Sequence, residues 1–153
     1  MTNIKTYLLL SLLIFSFFSC KKKSTLSQAE TDENIITKYI SDNNLNAQKT
    51  ASGLHYVITA PGTGLQPNGS SVVTVKYDGL LINGSIFDQS TAMGASFPLS
   101  SVIQGWQEGI PLYKKGGKGT LLIPSALGYG AQATGKIPAN SVLIFNIELL
   151  DVK

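Results

Sequence analysis

The chain has 153 residues, 43% of them hydrophobic and only 14% charged, which suits one modest domain with some extra sequence and excludes a wholly disordered protein. All twelve basic residues are lysine, so the forked guanidinium donors that suit phosphate and base-edge recognition are missing and nucleic acid is not an expected partner. The formal charge of +3 misleads as well: without Lys5 and Lys21 to Lys23 near the N-terminus, eight lysines face nine acids, a net of −1, and no basic field remains to steer polyanions.

Residues 1–20 read as a charged start (Lys5), an apolar run "YLLLSLLIFSFFS" and then Cys20, the only cysteine. Such a run is short for a bilayer span and suits a signal-peptide core. A lone cysteine makes no internal disulfide. "FFSCKK", with small Ser19 before the cysteine, resembles the signal of bacterial lipoproteins, in the looser form of Bacteroidetes-type bacteria. That resemblance implies lipidation of Cys20 as the first mature residue, a lipid bilayer as partner and a place in the cell envelope, anchored at the inner or outer membrane and facing the periplasm. Chance placement of a cysteine in an ordinary secretory signal is the alternative. The expected organisation is a signal peptide over 1–19, a lipidated tether over 20–28, a helical arm over 29–50 and a folded domain over 51–153.

In the arm, "TDENIITKYISDNN" sets Ile35 and Ile36 one turn before Tyr39 and Ile40, which predicts a short amphipathic helix with Thr31 as N-cap. Its apolar stripe suits packing on the parent domain, with dimerisation as the alternative, so monomer and dimer both stay open. From Gly53 strand signals dominate: "LHYVITA", a turn-rich "PGTGLQPNGS", then "SVVTVKYDGLLI" and "SIFD" joined through Asn83-Gly84, a strong short hairpin signal. "PLSSVIQGWQEGIP" predicts a helix of about two turns, with Ser101 and Gln104 at capping-box spacing, Gly109 as a stop and Pro111 beyond. Gly105 sits poorly in it, at about 1 kcal/mol of helix propensity, which points to another backbone or a ligand in close approach there. In the last run, "VLIFNIELL", Leu143, Phe145, Ile147 and Leu149 alternate with a face containing Asn146 and Glu148, so Phe145 is expected to point inward. The whole reads as an α+β domain.

Reactive chemistry is sparse. His55, the only histidine, lies in a strand and reads as a surface residue; no cysteine or carboxylate cluster surrounds it in sequence, and a G-x-S-x-G elbow is lacking. "KKGGKGT" misses the phosphate-loop spacing, and "GYGAQATG" does not open a helix. The residues that do stand out are Tyr77, Phe87, Trp106, Tyr129 and Phe145, near strand ends, the short helix and the glycine-rich loop. Such a site binds rather than attacks.

"VTVKYDGLLINGSIFDQS", "FPLSSVIQGWQEGIP", "GGKGTLLIPSALGYGA" and "IPANSVLIFNIELLDV" together resemble the FKBP-type peptidyl-prolyl cis-trans isomerases, over roughly Gly53 to Lys153. The resemblance implies a curved antiparallel sheet of about five strands wrapped around one short helix, and rotamase activity without cofactor or metal. It further implies proline-containing polypeptides as partners and macrolides as inhibitors. As catalytic positions it implies Tyr77, the Phe87-Asp88 pair, Val102, Ile103, Trp106, Tyr129 and Phe145, with Ile137 and Phe97 as further substrate-binding residues and Phe97 packed behind the pocket. "AMGAS" at 92–96 stands where some members carry an arginine and an aromatic, and Lys136 where some carry isoleucine. A chaperone-like module that binds prolyl peptides with little catalysis is the second reading.

Overall fold

The computed structural model describes residues 26–153. The leader, Cys20 and most of the expected tether lie outside the described residues. Helix α1 spans Gln28–Asp42 and begins earlier than Thr31: Ser27 is the N-cap, its hydroxyl accepting from the Glu30 amide while Glu30 accepts from the Ser27 amide at 2.8 Å. This reciprocal capping box satisfies two end donors. Thr31 instead donates its hydroxyl to the Ser27 carbonyl, 3.0 Å away.

Seven strands follow: β1 Gln48–Lys49, β2 His55–Ala60, β3 Val72–Leu81, β4 Ile86–Gln89, β5 Ala95–Pro98, β6 Lys118–Ile123 and β7 Leu143–Val152. They form one antiparallel sheet in the order β1-β2-β6-β7-β3-β4, with β5 also on β3. β4 and β5 share one edge of β3, pairing with Asp78 to Leu80 and with Val72 to Val75 respectively. The expected five strands thus become five positions across the sheet plus the two-residue β1. The hairpin at Asn83-Gly84 is present, with Gly84 at φ +84°.

Helix α2, Gln104–Gly109, lies on one face of the sheet. Ser101 does not cap it. Leu99–Ser101 form a separate 3-10 turn, the N-cap position is Ile103, and no side chain caps the helix. Trp106 and Gln107 donate their amides to the Ile103 carbonyl at 2.9 and 3.1 Å. The glycines explain how so short a helix packs so closely. A Cβ on Gly105 would fall 2.5 Å from Ile123 Cγ2, and one on Gly109 2.7 Å from Leu121 Cδ1. The close neighbour at Gly105 is the sheet's own Ile123 side chain rather than another backbone.

Sequence alternation along β6 and β7 sorts two cores. Leu121, Ile123, Leu143, Phe145, Ile147 and Leu149 face α2 in the main core. Leu122 and Ile144 face the other way and are covered by Ile36 of α1, together with Val142. The apolar stripe of α1 thus packs on its own chain. The same docking buries His55, which sequence alone placed on the surface: Nε2 lies 3.1 Å from Glu33 of α1, and Glu33 also pairs with Lys49 at 2.8 Å. These partners hold the Glu33 carboxyl below the usual range, Lys49 contributing most.

Two measurements test this packing. Gly105→Ala is expected to destabilise by about 1–2 kcal/mol in urea unfolding, since overpacking of roughly 1–3 kcal/mol outweighs about 1 kcal/mol of regained helix propensity; combining it with Ile123→Ala should be clearly less than additive. Tyr113, fully buried with its hydroxyl on the Val57 carbonyl at 3.0 Å, has its phenol pushed up by burial. A raised folded-state value stabilises fully below the unfolded value near 10 and is lost as pH rises through the folded value. Urea stability should therefore fall above about pH 10, and Tyr113→Phe should flatten part of that alkaline limb.

Candidate functional site

A cleft of about 290 Å³ opens where α2, β3, β5 and β7 meet, lined by Tyr77, Asp88, Phe97, Ser101, Val102, Ile103, Trp106, Tyr129 and Phe145. Eight of the ten site residues inferred from sequence converge here from six separate segments. Trp106 is the floor, only 4% exposed. Tyr77, Phe97 and Phe145 meet its ring edge-on, with centroids at 5.0, 5.7 and 5.2 Å and interplanar angles of 90°, 87° and 82°, the geometry that aromatic quadrupoles favour. Its Nε1 is buried with no hydrogen-bond partner among the described residues. Phe97 is part of the wall itself, not a residue packed behind it.

Phe87 and Ile137 do not line the cleft. Phe87 buttresses Phe145 edge-on at 5.5 Å and borders a neighbouring depression with Ile86, Asp88, Gln89 and Lys136. Ile137 is buried in the main core because the Thr134–Ile137 bridge folds the loop back on itself. Two further residues escaped the sequence reading. Ser101 lines the cleft. Gly79, two residues beyond Tyr77, makes room for both phenylalanines: a Cβ there would meet Phe87 Cε2 at 2.7 Å and Phe145 Cε1 at 2.9 Å. An isolated glycine inside a strand is the available signal for such crowding.

The polar groups sit at the rim. Tyr77 donates its hydroxyl to Asp88 Oδ2 at 2.7 Å, while Asp88 Oδ1 accepts from the Gln89 amide at 2.9 Å. Burial, and then the Asp88 carboxylate, push the Tyr77 phenol up, so it stays a donor throughout the neutral range. Tyr129 stands on the opposite loop, 39% exposed, in the segment after the 3-10 turn Ser125–Leu127. The Ile103 amide has no acceptor among the described residues. His55 faces α1 and does not line the cleft, and no group of three metal-ligating side chains occurs among the described residues. The arrangement suits an apolar ring set on the indole with amide dipoles held at the rim; among the described residues its hydroxyl–carboxylate pair is Tyr77 with Asp88, and no histidine, cysteine or lysine is in its lining. A larger groove of about 460 Å³ between α1 and the Lys49 to Gly53 segment has no aromatic residue in its lining.

The sequence profile described as FKBP-type peptidyl-prolyl cis-trans isomerase matches residues 64–150. The chain is 50% identical over 106 residues to the probable FKBP-type isomerase FkpA of Neisseria meningitidis serogroup B, covering 67% of this chain and 39% of that protein. To FkpA of Escherichia coli K12 it is 49% identical over 108 residues, covering 69% and 40%. The chain thus spans about two fifths of the length of these relatives. The crystal structure of Escherichia coli FkpA superposes with a TM-score of 0.74 at 39% identity, covering 82% of this chain and 61% of that one. The peptidyl-prolyl isomerase of Pseudomonas syringae pv. tomato gives 0.70 at 32% identity, covering 84% and 98%. With the profile spanning more than half its length and the same curved sheet closed over a short helix, the chain belongs to the FKBP-type peptidyl-prolyl cis-trans isomerase family.

Proposed function

We propose that this chain is a peptidyl-prolyl cis-trans isomerase that assists folding of exported proteins from a lipid anchor on Cys20 in the cell envelope. The observation that carries the isomerase reading is the cleft itself: an indole floor with aromatic walls, lined by no histidine, cysteine or lysine among the described residues that would serve as general base or nucleophile. Rotation about an imide bond needs neither, because the barrier of about 18–20 kcal/mol comes from amide resonance. Prolyl isomers differ little in energy yet exchange over tens to hundreds of seconds.

A planar amide is more dipolar and better hydrated than a twisted one. Seating the proline ring on Trp106 between Tyr77, Phe97 and Phe145 strips water from the planar form at greater cost, so the twisted form is favoured in relative terms. Each 1.4 kcal/mol or so of that preference is a factor of ten in rate. The free Ile103 amide and the Tyr129 hydroxyl orient the peptide by donating to its carbonyls, and Val102 with Ile103 shields one side. Asp88 acts mainly by holding Tyr77 upright, an assignment its hydrogen bond to that hydroxyl supports. Phe87 and Ile137 act from behind, by keeping Phe145 and the Tyr129 loop in place. Proline-containing polypeptides are the substrates, and macrolides that present a similar apolar ring are inhibitors of the same cleft.

Isomerisation of a Leu-Pro tetrapeptide, followed by NMR exchange spectroscopy, should be accelerated by residues 26–153, and Trp106→Leu should lose at least tenfold in kcat/KM while circular dichroism remains folded. Assisted refolding of a proline-limited client without turnover of the tetrapeptide would sink the isomerase reading in favour of a binding module. For the anchor, cells expressing the full chain and fed an alkyne fatty acid should label the wild type and leave Cys20→Ala unlabelled; equal labelling of both would remove Cys20 as the attachment point.

A further inference from the structure

We infer that Asp32, on the N-terminal helix, is a positioning residue for the Tyr129 loop, so that the arm sets how well the cleft takes its peptide; this rests on the isomerase reading above. Asp32 is 1% exposed and Ser125 2%. Asp32 Oδ2 accepts both the Ser125 amide at 2.7 Å and the Ser125 hydroxyl at 2.6 Å, and its Oδ1 accepts from Gln28 at 2.7 Å. Asp32 belongs to no salt bridge among the described residues. A buried carboxyl in that position is costly unless its lone pairs are met; here Ser125 meets Oδ2 and Gln28, on the same helix, meets Oδ1.

Ser125 is the residue on which that loop closes. Its carbonyl accepts from the amides of Gly128 at 3.0 Å and Gly130 at 2.8 Å, which bracket Tyr129, and the Gly130 carbonyl in turn accepts from Asn140 at 2.8 Å. The donor side of Ser125 is held by the arm and its acceptor side holds the loop. Tyr129 itself is 39% exposed, and the hydrogen bonds to the Ser125 carbonyl hold the backbone on both sides of it. Ile36, one turn along α1, fastens the same helix to Leu122 and Ile144, which gives the arm a rigid footing on the sheet.

The consequence is kinetic. When only a fraction of molecules hold the loop in place, apparent substrate affinity falls by that fraction, yet saturating peptide draws the loop back. Asp32→Ala should raise KM about tenfold, within the roughly 100-fold that misplacement of a positioning group costs, with kcat nearly unchanged. A purely structural role would instead reduce the folded fraction, lowering kcat at constant KM. Asp32→Asn, which retains one acceptor oxygen, should fall between, and Ser125→Ala, which keeps the amide donor, should be milder than Asp32→Ala. On a Tyr129→Phe background Asp32→Ala should add little. The measurement is tetrapeptide isomerisation by the full chain at a temperature where circular dichroism reports every variant folded. A wild type that turns over the peptide, combined with an unchanged KM in Asp32→Ala or fully additive losses with Tyr129→Phe, overturns the inference; a wild type without turnover overturns the isomerase reading instead.

Discussion

The contact on which the rest depends is that between a six-residue helix and the sheet beneath it. α2 is too short to be stable alone, and its fixed place comes from Gly105 and Gly109, which let its backbone settle onto Ile123 and Leu121. A Cβ at either position would lift the helix, and Trp106 with it. The indole would then lose its edge-on contacts with Tyr77, Phe97 and Phe145 and the cleft would lose its floor. Helix propensity is given up so that an aromatic box can close.

That box also explains the sparse polar decoration. Burial of the indole leaves its Nε1 without a partner among the described residues, at a cost of order 1–3 kcal/mol, while the polar groups that are satisfied stand at the rim. Tyr77 shows the division well: its ring packs on Trp106 and its hydroxyl reaches Asp88. A dry centre with dipoles at the edge suits a substrate whose apolar ring must be desolvated while its flanking amides are held.

The sheet is clad on both faces by different means. α2 covers the inner face through glycines in close approach, whereas α1 covers the outer face with side chains, Ile36 over Leu122 and Ile144. The outer contact reaches the cleft only indirectly, through Asp32 and the backbone of Ser125. Helix α1, on the far face of the sheet, is thereby hydrogen-bonded to the base of the loop that carries Tyr129.

Much of this was legible in the amino-acid order. Alternation in "VLIFNIELL" put Phe145 inside, Asn83-Gly84 marked the hairpin, and Tyr77, Phe87, Trp106, Tyr129 and Phe145 stood out as aromatic residues near strand ends and loops, although Phe87 stands outside the cleft and Phe97, expected behind it, forms part of its wall. Local pattern reports which face of an element is apolar and where it turns. It does not report what arrives at that face. Hence Gly105 could be recognised as a place of close approach but not assigned to Ile123, and His55 looked exposed because the helix that covers it lies 22 residues earlier. Asp32 and Ser125, 93 residues apart, carry no mutual signal in sequence, since a buried hydrogen bond between distant segments has no period. Spacing marked the elements and the aromatic residues, and the family resemblance supplied the remaining cleft positions; only the closing of the sheet over α2, and of α1 over the sheet, decided which side chains share a wall, because that depends on distances through space that the chain's order does not contain.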